Sequence, residues 1–169
     1  MRKNRNDPAR GFSLAELMVV VIIMALIGAM VIPMAVDTGS EQARSAAQMV
    51  MADLEYAQNY AITTQMEVSV QFNVTQNSYV LSYTDPISNA SVVLKHPITQ
   101  NEYRVNFSAA KGFERTALSA PSFGEASQVV FSALGAPNPD GSVTVSAGSH
   151  AYRVTVAPVT GRVTVAETS

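Results

Sequence analysis

The sequence predicts an α+β fold, a long N-terminal helix packed on a C-terminal antiparallel β domain. Three observations predict it. Leu17 to Val36 is a run of twenty residues without a charge. From Ser40 to Ala61 apolar residues recur at every third or fourth position. From Met66 onward the period falls to two, in short β-branched runs bounded by Gly, Pro and Asn.

The apolar run, LMVVVIIMALIGAMVIPMAV, is long enough as a helix to span roughly 30 Å, the hydrocarbon thickness of a bilayer. Only a helix satisfies its own backbone in lipid, so the many β-branched residues here do not argue for a strand. Residues 1–11 precede it with Arg2, Lys3, Arg5 and Arg10 against Asp7, a net of 4 − 1 = +3. Such a basic leader stays on the cytoplasmic side of a membrane. A secretory signal peptide and a plain single-pass anchor share this outline, but the run is long for a signal peptide and no A-x-A site follows it.

The apolar stripe comes next. Ala43, Ala46, Ala47, Val50, Leu54, Ala57 and Ala61 fall on one face of a helix, with Glu41, Arg44, Gln48, Asp53, Glu55 and Asn59 mostly elsewhere. The expectation is one continuous helix from about Phe12 to Thr63. Pro33 is expected to kink it, since a mid-helix proline removes a hydrogen bond and clashes with the preceding turn; it would equally end a membrane span.

Strands are expected at Met66–Phe72, Ser78–Tyr83, Ser91–Lys95, Glu102–Phe107, Gln128–Ser132, Ser142–Ala147, Ala151–Ala157 and Gly161–Ala166. Pro158-Val159-Thr160-Gly161 is a hairpin signal between the last two. Lys111 to Ser127 is less patterned and is expected to be an exposed loop.

One segment carries more than fold. Gly11-Phe12-Ser13-Leu14-Ala15-Glu16-Leu17 ends a basic leader in glycine and sets a carboxylate five residues beyond it, at the edge of the apolar run. A carboxylate there costs on the order of a few kcal/mol, so Glu16 is a functional candidate unless it snorkels to the interface. This stretch resembles the leader of type IV pilins and type II secretion pseudopilins. The resemblance implies that Gly11 precedes the cut of a prepilin peptidase and that Phe12 becomes N-methyl-phenylalanine. It implies that Glu16 meets the new amino group of a neighbouring subunit and sets axial register, the best-attested use of a buried ion pair.

The C-terminal half is similar to the H-type minor pseudopilin and FimT group, on Val129-Val130-Phe131-Ser132, Gly135, Gly141-Ser142-Val143, Tyr152-Arg153-Val154-Thr155-Val156 and Thr160-Gly161-Arg162-Val163. The implied fold is pilin-like. The implied organisation is a cleaved leader over 1–11, a transmembrane helix over 12–36, its amphipathic continuation over 37–63 and a periplasmic β-rich domain over 64–169. The implied partners are the peptidase, other pseudopilins or pilins in a filament, an inner-membrane assembly platform and membrane lipid. The implied place is the inner membrane, single-pass, with the N-terminus cytoplasmic, and then a periplasmic filament. A minor pilin of a type IV pilus (priming, adhesion or DNA uptake) and a non-polymerising anchored binding domain are the alternatives.

The chemistry classes are narrowed by what the sequence lacks. It has no cysteine, and its two histidines, His96 and His150, stand without ligand spacing. Asp140 and Glu167 are isolated, so the acidic calcium loop of major pseudopilins has no counterpart; no metal and no cofactor are expected. No serine sits in a nucleophile elbow and no lysine in a P-loop, so the protein is not expected to be an enzyme. FimT-like pilins that bind DNA carry Gly-Arg-x-Arg; here Gly161-Arg162-Val163-Thr164 lacks the second arginine. Outside the leader the net charge is 7 − 12 = −5, and no nucleic acid is expected as a partner.

Overall fold

A computed structural model describes residues 12–36, 39–124 and 127–168, with the side chains of the first helix described through residue 29. It divides into two units, residues 1–38 and 39–169. The first contains helix α1, Leu14–Val36. The second contains helix α2, Gly39–Thr64, and all of the strands. The expected continuity of the helix depends on residues 37 and 38, which lie outside the described residues.

Helix α1 begins where Ser13 allows it to. The Ala15 N–H donates to Ser13 Oγ at 3.3 Å, and the Ser13 carbonyl accepts from Glu16 and Leu17. That is an N-cap, with Glu16 three residues on where a carboxylate suits the positive helix end. Every large apolar side chain described from Leu14 to Ile27 is exposed. Among the described residues no helix is long and apolar enough to cross a membrane. Side chains of α1 are described over sixteen residues, 14 to 29, about 24 Å of rise. The expected span over 12–36 reaches beyond that stretch.

Helix α2 buries the expected stripe. Ala43, Ala46, Ala47, Val50, Leu54, Ala57 and Ala61 are all fully buried. Five alanines among seven contacts let the helix lie close to the sheets, while Val50 and Leu54 each contribute about 1.5–3 kcal/mol of apolar burial.

Two antiparallel sheets complete the unit. The first is built from β1 (Val68–Asn73), β2 (Ser78–Thr84), β3 (Ser91–Val93), β4 (Arg104–Asn106), β6 (Gln128–Phe131) and β7 (Pro137–Asn138). Its order is β3-β2-β1-β6-β7, with β4 pairing beside β3 on the edge of β2. The second is β10-β9-β8-β5, from β5 (Thr116–Ser119), β8 (Gly141–Ala147), β9 (His150–Val156) and β10 (Val163–Thr168). The α+β architecture and antiparallel pairing are those the sequence predicted.

Two strands were not expected. β5 lies inside the segment 111–127 read as an exposed loop, and Thr116, Leu118 and Phe123 of that segment are buried. β7 is only two residues long and starts with proline, which suits an edge. Aromatic rings close the core: Phe72 stacks on Phe123 at 5.4 Å, and Tyr79 meets Phe107 at 5.9 Å.

The register defines two ends of this unit. Thr84 donates its N–H to the Glu67 carbonyl just after α2, and Val68 pairs with Phe131. The turns after β2 and after β6 therefore lie beside the C-terminus of α2. Gln58 Nε2 donates to the Thr160 carbonyl at 2.8 Å, which brings the β9–β10 turn to the same end. The β1–β2 turn and the β8–β9 turn lie at the opposite end.

Candidate functional site

Of the predicted site residues, Gly11 lies outside the described residues. Phe12 precedes α1 with 78% of its surface exposed. Glu16 is exposed in the first turn of α1, and among the described residues its carboxylate has no ion-pair partner. Pro33 falls inside α1, and its side chain is not described. Phe12 and Glu16 thus stand four residues apart at one helix terminus.

The apolar side chains behind Glu16 are exposed among the described residues. Contiguous exposed apolar area of this kind marks a surface made for lipid or for other apolar helices. A charge at its edge has two physical uses. It lies in the first turn of α1, at the positive helix end, and it is available to a cation from outside the chain. The first is local and worth only a few tenths of a kcal/mol to about 1 kcal/mol. A cation against the same carboxylate within packed apolar stems would interact far more strongly, because the dielectric there is low.

The second unit holds a carboxylate of the opposite kind. Asp53 was placed off the apolar stripe, but it is only 9% exposed. It sits one residue before Leu54 and three after Val50, on the flank of α2 that meets the first sheet. Tyr79 Oη donates to its Oδ2 at 2.5 Å, and Tyr103 Oη donates to its Oδ1 at 2.9 Å. Burial holds the carboxyl above its ordinary value, against the opposing pull of the two hydroxyls and of His96. Burial and the nearby carboxylate raise Tyr79 and Tyr103 as well. The His96 ring packs on Tyr103 at 4.7 Å, and its Nδ1 accepts the Ile98 N–H at 3.2 Å. These groups tie α2 to β2 and to the segment between β3 and β4. Sequence reasoning missed this cluster because the partners are 26 and 50 residues from Asp53. The faint signal was an acid beside the stripe rather than opposite it.

A third arrangement joins the two sheets. Gln58 Nε2 donates to the Gly135 carbonyl and to the Thr160 carbonyl, each at 2.8 Å. A Cβ on Gly161 would stand 2.7 Å from the Gly135 carbonyl oxygen and would strike the Gln58 amide. Glycine is therefore required there by space as well as by its φ of +66°. Among the described residues no group of three or more His, Cys, Asp or Glu side chains could hold a metal ion.

The comparisons with known proteins bear on both units. The model of the type II transport protein GspH family matches residues 46–161, more than half of the chain. The chain belongs to the GspH family of type II transport proteins. The prokaryotic N-terminal methylation motif matches residues 7–32, a stretch that contains Gly11, Phe12 and Glu16. No curated protein matches the chain. Among solved structures, the fold is similar to the minor pseudopilin EpsH of the Vibrio cholerae type II secretion system. One such structure has 12% identity and a TM-score of 0.57, covering 75% of this chain and 97% of that one. A second has 13% identity and a TM-score of 0.58, covering 77% and 97%. The Pseudomonas aeruginosa type IV minor pilin FimU has 16% identity and a TM-score of 0.49, covering 73% of this chain and 91% of that one. The two EpsH likenesses show the pseudopilin fold, as expected from the C-terminal motifs.

Proposed function

We propose that this GspH-family chain is a minor pseudopilin of a type II secretion system, made as a precursor and assembled into a filament through its apolar stem. The observation that carries the reading is the meeting, on one chain, of the methylation motif over 7–32 and the GspH match over 46–161. A prepilin peptidase cuts between Gly11 and Phe12 and methylates the new amino group. Residues 1–11 are the leader, 12–36 cross the inner membrane once, 37–63 continue the helix, and 64–169 stand in the periplasm. The positive leader on the cytoplasmic side and the uncharged run of twenty residues support that orientation. The chain then leaves lipid for a periplasmic filament with other pseudopilins, on an inner-membrane platform. Pro33 loosens the stem on that passage.

The work is mechanical rather than catalytic. Exposed apolar stem, a register carboxylate at Glu16 and a β domain pinned by α2 are parts of a subunit. Intact-mass measurement and N-terminal sequencing of the membrane-extracted protein test the reading, with and without an active prepilin peptidase. A chain that starts at Phe12 and carries one extra methyl group is expected. A chain that keeps residues 1–11 beside a peptidase active on another prepilin would refute it.

A further inference from the structure

The edges of the two sheets are not alike. In the first sheet the outer strands are β3 and β4, of three residues each, and β7, of two residues starting with proline. In the second sheet β5 has four residues. Short edges and an edge proline leave little for another strand to pair with. β10 is the exception. It runs six residues, Val163–Thr168, and pairs with β9 in unbroken register from Val163↔Val156 to Thr168↔Ala151. It holds no proline, no lysine and no bulge.

The register says which backbone groups stand open. Ala157 donates its N–H to the Arg162 carbonyl at 2.9 Å, one pair before Val163↔Val156. Backbone bonds in an antiparallel pair fall on alternate residues. Thr164, Ala166 and Thr168 therefore bond to β9, while the N–H and carbonyl groups of Val163, Val165 and Glu167 point away from it. Among the described residues no strand pairs on that side. A cleft of about 550 Å³ lies beside this edge. It is lined by Arg44, Gln48 and Met51 of α2, by Tyr152 of β9, and by Arg162 and Val165. Among the described residues neither Arg44 nor Arg162 has an ion-pair partner, whereas Arg104 is held by Glu102 at 2.7 Å. Glu167 also borders the cleft, 3.9 Å from His150 Nδ1.

We propose that β10 takes up an extended acidic peptide segment of another protein as an added strand, with its carboxylates on Arg44 and Arg162. Three features select that occupant. A peptide backbone supplies alternating donors and acceptors to match the open groups of Val163, Val165 and Glu167. Two guanidiniums outnumber the one carboxylate of Glu167 in the cleft, so an acidic segment is matched and a basic one repelled. Each guanidinium is a fork that fits a carboxylate with two parallel bonds. Met51, Tyr152 and Val165 offer apolar surface to an aliphatic side chain. That apolar lining, and a net charge of 7 − 12 = −5 outside the leader, disfavour a nucleic acid. The strand and the cleft lie within residues 39–169, so the inference is independent of the filament reading.

The test uses the full chain in detergent and a fluorescent peptide of about eight residues alternating valine and glutamate. Saturable binding is expected. It should be at least tenfold weaker when lysine replaces glutamate in the peptide. The same loss is expected when two adjacent central residues of the peptide are N-methylated, which removes a donor from each of its edges. Arg44→Gln combined with Arg162→Gln should weaken binding at least tenfold. Arg115→Gln, at an exposed arginine beside β5 on the far edge of the same sheet, should leave it unchanged. All three arginines are exposed, so the melting temperatures should stay level. By NMR, amide exchange at Val163, Val165 and Glu167 should slow at least tenfold when the peptide is added, and change little at Thr164 and Ala166. No binding, equal binding of the lysine peptide, or indifference to the arginine pair or to N-methylation would each overturn the proposal. So would an oligonucleotide of the same charge that displaces the peptide at equal concentration. Protection of those three amides before any peptide is added would overturn it too, by placing a second copy on the edge.

Discussion

Glu16 and Asp53 are carboxylates on successive helices, and their surroundings are opposite. Glu16 stands exposed at the edge of an apolar surface, and among the described residues no cation faces it. Asp53 is buried, and two tyrosine hydroxyls from its own chain complete it. A carboxylate satisfied inside its chain supports the fold. One left waiting beside uncovered apolar surface points to a partner outside. The same contrast holds for the apolar side chains. The stripe of α2 is fully buried, and the large apolar side chains described on α1 are exposed.

Substitutions in the β-rich unit should sharpen the contrast, because their effects belong to stability alone. Asp53→Leu is expected to cost the most, about 2–4 kcal/mol, since it strands two buried hydroxyls. Urea unfolding of the detergent-extracted chain would measure it. Gly161→Ala should follow at about 1–3 kcal/mol, through its positive φ and the clash with Gln58 and the Gly135 carbonyl. Gln58→Ala should cost about 1 kcal/mol, as two turn carbonyls lose their donor but remain near solvent.

Asp53→Asn should change stability least at neutral pH, because an amide still meets both hydroxyls. Its signature is in the pH dependence. The folded-state pKa of Asp53 is raised above 3.8, so the native state binds its proton more tightly than the unfolded chain does. Its contribution to stability therefore rises as pH falls through the raised pKa toward 3.8. The asparagine variant should lose that component of the stability–pH curve. An unchanged curve would mean that Asp53 is not the group responsible.

The stripe of α2 and the leader motif were legible because each is a local pattern, set by residues within a few turns of one another. Eight strand segments were legible for the same reason, from alternation between turn residues. What was missed is non-local. Asp53 looks like a surface acid until Tyr79 and Tyr103 are folded against it. β5 was hidden because Thr116 and Leu118 are its only core-facing residues, and their cover comes from β8. At the start of α1 the sequence pointed to Glu16 but not to the cap that Ser13 supplies.

The charge of Glu16 dictates the decisive measurement. Glutamine keeps the length and polarity of glutamate, but it carries no charge. Glu16→Gln and Glu16→Ala should both be cleaved after Gly11 and should both melt with the β-rich unit intact. If Glu16 pairs with an amino group on a neighbouring stem, both variants should enter filaments at least tenfold less than the parent chain. Normal incorporation of Glu16→Gln would contradict the account, leaving the register role without support.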